Sequence, residues 1–94
     1  MKTKYELHII DASNVSFSFE CMFINTKKNK KISLYCSKND LLQIIEDFHP
    51  QIFVNKKLKD NKLIKKILKK RKFKYYDAIN DELEYLYDDV FGKE

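Results

Sequence analysis

Val15, Phe17, Phe19, Cys21 and Phe23 alternate with Ser16, Ser18, Glu20 and Met22. A side-chain period of two belongs to an extended strand with one apolar face, and a helix would scatter these five residues around its axis. A second alternation sets Ile32, Leu34 and Cys36 against Ser33, Tyr35 and Ser37, after a polar, basic stretch at positions 25–31. Together they predict an antiparallel hairpin whose tip carries Lys27, Lys28, Lys30 and Lys31.

The other elements arrange themselves around that hairpin. Ahead of it, Tyr-Glu-Leu-His-Ile-Ile at positions 5–10 is a short apolar run, and the turn-prone Asp11, Ala12, Ser13 and Asn14 predict a polar corner at its end. After it, Ser37 with Asp40 three residues on resembles a capping box, and Leu41, Leu42, Ile44, Ile45 and Phe48 follow at helical spacing until Pro50 stops them. Ile52, Phe53 and Val54 form a compact apolar segment suited to a central strand buried on both faces. Asp60 or Asn61 caps a second helix whose core stripe is only Leu63, Ile64, Ile67 and Leu68. A fifth strand is expected at positions 73–76. A third helix is expected from Asn80 to the stop at Gly92, with Leu83, Leu86, Tyr87 and Val90 on its buried side. The predicted fold class is α/β: a mixed five-stranded sheet, made of a three-strand antiparallel meander and two helix-strand units, with three helices in one domain over residues 1–94.

Ninety-four residues, 44% of them hydrophobic, suffice for one core, and thirteen aromatics are too many for a disordered basic tail. No apolar run approaches the roughly 20 residues needed to cross a bilayer, and the basic residues 1–5 have no signal-peptide apolar core behind them, so an intracellular protein, cytoplasmic or mitochondrial, is expected. In that setting Cys21 and Cys36 are expected to be buried free thiols, although two strands make a bridge geometrically possible. His8 and His49 have no Cys or carboxylate at metal-ligand spacing, which favours structural roles. With a single Gly in the chain a phosphate-cradling P-loop is excluded, and no Ser-His-Asp set is present. No cofactor is expected.

Charge is strongly polarised along the chain. Positions 56–74 hold eleven of the nineteen Lys and Arg residues with Asp60 as their one acid, whereas the last eighteen positions hold seven of the fourteen acids. A cationic element of this density beside a modest core suits a polyanion, most often nucleic acid. The expected RNA contacts are Lys27, Lys28, Lys30 and Lys31 at the hairpin tip, with Lys56, Lys57, Lys59, Lys62, Lys65, Lys66, Lys69, Lys70, Arg71 and Lys72. Like charges at Lys62, Lys65, Lys66, Lys69 and Lys70 repel by tenths of a kcal/mol per pair, which a polyanion relieves. Codon bias toward AT, suggested by the abundance of Lys, Asn, Ile, Phe and Tyr, also raises the Lys count. Tyr75, Tyr76, Tyr85 and Tyr87 are candidates for base stacking, although only one of the adjacent Tyr75 and Tyr76 can face outward. The acidic third helix is expected to face a neighbouring protein or the basic helix.

The element order resembles that of the RNase H-like superfamily. Its nucleases place an Asp at the end of the first strand, which Asp11 matches, and a second acid near the end of the fourth, where this chain has Asn55 and Lys56. Asp81 or Glu82 stands where the acid of the last helix would be, and two carboxylates make a poor two-metal site. Positions 32–58 look like the connector domain of MutS-type mismatch-repair proteins. Leu7-His8-Ile9-Ile10-Asp11-Ala12-Ser13-Asn14 and the hairpin after it are similar to the opening of the platform protein of the small ribosomal subunit, eleventh in the universal series, although that family's basic C-terminal tail is replaced here by acid. Ile9-Ile10-Asp11-Ala12-Ser13-Asn14-Val15 also resembles the Asp-Gly-Ser-Asn-Val opening of NYN/PIN-type ribonucleases, where the Asp holds a divalent metal. The expectation is a non-catalytic RNA-binding component of a ribonucleoprotein, ribosomal or organelle-ribosomal, with rRNA as partner. A metal-dependent nuclease using Asp11 and a protein-protein adaptor are the alternatives.

Overall fold

A computed structural model describes residues 4–77. It is α/β, with one five-stranded mixed sheet and two α-helices among those residues. The strands are β1 (Tyr5–Ser13), β2 (Ser18–Asn25), β3 (Lys30–Ser37), β4 (Gln51–Asn55) and β5 (Phe73–Tyr76), in the order β3-β2-β1-β4-β5. Helix α1 (Lys38–Phe48) joins β3 to β4, and a 3-10 turn (Lys56–Leu58) with α2 (Lys62–Ile67) joins β4 to β5. Pairings are antiparallel from β1 to β3 and parallel from β1 through β4 to β5. The expected third helix lies outside the described residues.

Alternation sorts the sheet into two apolar faces. Leu7, Ile9, Phe19, Cys21, Ile52 and Val54 pack with Leu41 and Ile45 of α1 and with Ile64, Ile67 and Leu68 from the α2 segment. On the opposite face Ile10, Met22 and Ile24 cluster with Tyr76. β4, hydrogen-bonded on both edges, is the expected central strand: Val54 is fully buried on one side, while Phe53 stacks on His8 at 4.5 Å on the other.

Helix starts follow side-chain capping. Ser37 Oγ accepts from Asp40 N–H at 3.2 Å, and Asn61, rather than Asp60, caps α2 by accepting from Ile64 N–H at 3.1 Å. Of the expected stripe, Ile64, Ile67 and Leu68 are buried and Leu63 is half-buried, but α2 has only six residues, so Lys69 and Lys70 lie in the turn beyond it.

The β1-β2 connection departs from expectation. β1 runs on to Ser13 through the residues expected to turn, pairing Asp11 with Glu20 and Ala12 with Phe19 across a bulge after Ile9. The turn falls instead at positions 14–17 and leaves Val15 92% and Phe17 58% exposed. Their apolar alternation therefore does not belong to β2, whose buried face begins at Phe19.

Scarcity of glycine shows in the backbone. Phe17, Asn29 and His49 have φ of 52°, 53° and 47°, left-handed conformations that glycine adopts without a steric cost. His49 occupies that conformation because α1 must end in one turn before Pro50, with its N–H on the Ile45 carbonyl at 3.0 Å. His49→Gly should raise stability by about 0.5–1 kcal/mol, as relief of the left-handed strain outweighs the added freedom of the unfolded chain. Leu41→Ala, which hollows the α1 contact, should lower it by about 2–5 kcal/mol. Urea denaturation checks both.

Candidate nucleic-acid interface

Topology decides where the cations go. β1, β4 and β5 run in one direction and β2 runs back, so the β2-β3 tip arrives beside the amino ends of the parallel strands: Tyr5 pairs with Asn25, Glu6 with Gln51, and Thr26 N–H donates to the Lys4 carbonyl. The tip is shaped by Asn25, whose Oδ1 accepts from the Lys27 and Lys28 N–H groups at 3.1 and 3.2 Å. Lys27, Lys28, Lys30 and Lys31 are all exposed there.

Helix α2 and the turn after it descend to the same end. A cleft of about 390 Å³ is lined by Lys66, Ile67, Lys69, Lys70 and Arg71. Arg71 also borders a larger cleft, about 630 Å³, at the start of β4 and β5. With strands about 4.8 Å apart, the tip and β5 stand roughly 15–20 Å from each other. Lys66, Lys69, Lys70 and Lys72 are exposed and make no ion pair among the described residues. Arg71 donates to Glu46 at 3.1 Å.

The remaining expected cations lie at or toward the other end. Lys56, Lys57 and Lys59 follow β4 at the carboxyl end, and Lys62 opens α2. Here acids are interspersed: Lys57 Nζ is 3.6 Å from Asp11 Oδ2, and Lys65 Nζ is 3.8 Å from Asp60 Oδ1. Asp11, Glu20 and Tyr35 also line a shallow cleft of about 100 Å³. Asn55 is buried; its Nδ2 donates to the Ile10 carbonyl at 3.3 Å, and its Oδ1 accepts from Lys57 N–H at 3.2 Å. The Asn55 amide thus ties β4 to β1. No group of three or more His, Cys, Asp or Glu side chains suited to a metal occurs among the described residues.

The remaining candidates hold structural positions. His8 Nε2 lies 3.0 Å from Glu6 Oε1, and its ring stacks on Phe53 at 4.5 Å and lies 5.4 Å from that of Tyr76. Tyr76 donates its hydroxyl to the Ile9 carbonyl at 3.5 Å, whereas Tyr75 is 41% exposed and is the one of the pair that faces outward. Cys21 and Cys36 are free and buried on the core face, as expected. Hydrogen bonding with Cys36, then burial, pushes the Cys21 thiol well above its ordinary value, and the same bond lowers Cys36. No described helix is long and apolar enough to cross a membrane. Tyr85, Tyr87, Asp81 and Glu82 lie outside the described residues.

The two clefts are what residue-by-residue inspection of the sequence misses. Pro50 and Gln51 are separated from Lys72 and Phe73 by some twenty positions, and only the β4-β5 register makes them neighbours. Comparison with protein-family models, curated proteins and solved structures finds no match for this chain.

Removing the Asn55 amide leaves the Ile10 carbonyl and the Lys57 N–H without that partner. Asn55→Ala should cost about 1–3 kcal/mol in urea denaturation. Asp11→Asn, at a largely exposed pair, should change stability by less than about 1 kcal/mol.

Proposed function

We propose that this protein is a small non-catalytic RNA-binding component of a ribonucleoprotein, ribosomal or organelle-ribosomal, that holds phosphates against the amino end of its sheet. The observation that carries the proposal is the placement of two basic segments remote in sequence, the β2-β3 tip and positions 66–72, at the same end of one sheet, roughly 15–20 Å apart. Each uncompensated cation there raises the energy of the free protein through repulsion, and a polyanion lowers it. Contacts of this kind fix position on a backbone without reading sequence, and they weaken steeply with salt.

In the proposed arrangement the fold is RNase H-like, a reading supported by the strand order and the mixed pairing. Two features favour a scaffold over a metal-dependent nuclease. Lys57 sits on Asp11, the carboxylate a metal would need, and Asn55 occupies the place of the second acid. The interface is narrower than the expected set, because Lys56, Lys57 and Lys59 lie at the opposite end of the sheet. The acidic positions 77–94 are assigned to a neighbouring protein on their charge alone.

Neutralising Lys66, Lys69 and Lys70 together to Gln should weaken binding of single-stranded RNA at least tenfold at low salt. It should also reduce the slope of log K against log salt by about 2, at roughly 0.7 per phosphate contact. The control Lys56→Gln with Lys59→Gln should leave both near wild type. An unchanged slope in the triple variant, with an intact thermal melt, would sink the proposal.

A further inference from the structure

The larger amino-end cleft has more than charge. At about 630 Å³ it falls within the roughly 300–1,000 Å³ of pockets that hold small organic groups. Pro50 and Ile52 line it but are buried, so its accessible apolar surface is that of the half-buried Phe73, whose ring lies edge-on against Tyr75 at 5.3 Å. Gln51 supplies one polar wall, and its side-chain amide has no hydrogen-bond partner among the described residues, so both a donor and an acceptor remain for a ligand. Lys72 and Lys74, both exposed, complete the rim.

Arg71 links this cleft to the basic one beside it, since it lines both. One guanidinium nitrogen is held by Glu46, which fixes the side chain at the junction and leaves its other N–H donors available. Around one cleft the surface thus offers an aromatic side chain, an amide and cations at the mouth. A flat group with apolar faces and a hydrogen-bonding edge, tied to phosphates on either side, meets all three.

We infer that this cleft seats one unpaired nucleotide of a single-stranded RNA, its base against Phe73 with its edge toward Gln51, and its flanking phosphates on Lys72 and across Arg71 to Lys69 and Lys70. The inference rests on the proposed RNA face and specifies the RNA that face takes. A duplex cannot fill the cleft, because its base faces are closed within the stack, and it meets only the cations.

The test uses the full chain, fluorescence anisotropy with a labelled single strand and a blunt RNA duplex of matched charge, and amide shifts in NMR titration. The single strand should bind about tenfold or more tightly than the duplex at equal salt, the range expected when one base leaves water for a protein surface. Gln51→Ala and the conservative Phe73→Leu should each reduce single-strand affinity several-fold and leave duplex affinity unchanged. In the wild type the amides of Gln51, Ile52 and Phe73 should shift and saturate with the strand, a readout independent of how the variants fold. Equal affinity for strand and duplex would overturn the nucleotide site while leaving the RNA face intact. So would saturation of the same amides by free UMP or AMP as tightly as by the strand. Failure of both RNAs to bind at low salt would remove the RNA face, and the nucleotide site with it.

Discussion

β1 is hydrogen-bonded along both edges, antiparallel to β2 and parallel to β4, and it is buried on both faces. Leu7 and Ile9 are fully buried on one side; His8 and Ile10 are nearly so on the other. A strand in this position cannot slip by one residue without exchanging its whole set of side chains between faces. Its register is therefore strongly specified, and it sets the positions of β2 and β4 and, through them, of β3 and β5. Asn55 strengthens that dependence by joining the end of β4 to the Ile10 carbonyl beside the bulge, where ladder pairing is irregular.

From that register the concentration of cations at one end follows by connectivity. A hairpin after an upward strand must return to its foot before turning, and a parallel strand must begin at the foot. The β2-β3 tip, the approach to β4 and the approach to β5 are thus brought to the amino end whatever their sequences. Lysines in the first and last of these connections consequently share one end of the sheet, on opposite sides of it. The β1-β2 turn and the segment after β4 go to the other end, where Asp11 and Asp60 accompany Lys57 and Lys65.

Features set by local chemistry were readable from the sequence, and features set by competition between neighbours were not. The hairpin, the Ser37 cap, the Ile52-Phe53-Val54 strand and the Ile64, Ile67 and Leu68 stripe follow from period and side-chain type alone. The β1-β2 turn did not, because Asp11, Ala12 and Ser13 have turn chemistry but are drawn into the ladder by partners on β2, and the apolar Val15 and Phe17 mimic a strand that starts only at Ser18. Helix α2 was legible in its stripe and not in its length. Once Leu68 has reached the core, no apolar residue calls for another turn, and five cations at positions 65–71 favour leaving the helix. Of the candidate interface, the charge was visible and its division between two ends was not, since that division depends on strand direction.

Codon drift toward AT can supply lysines in number, and both ends of the sheet have them. What separates the two ends is their surroundings. At the carboxyl end two of the lysines, Lys57 and Lys65, stand beside carboxylates, and the small cleft there contains Asp11 and Glu20, so part of the local charge is offset. At the amino end Lys66, Lys69, Lys70 and Lys72 have no acid partner among the described residues and surround clefts with apolar walls. Drift in composition acts on codons without regard to where the folded chain places an aspartate or a phenylalanine. The coincidence of unmatched cations, an arginine fixed by Glu46 and an apolar recess with an unused amide is a property of three-dimensional placement. It is the difference in placement, rather than the lysine count, that favours a polyanion with exposed bases as the partner of this end.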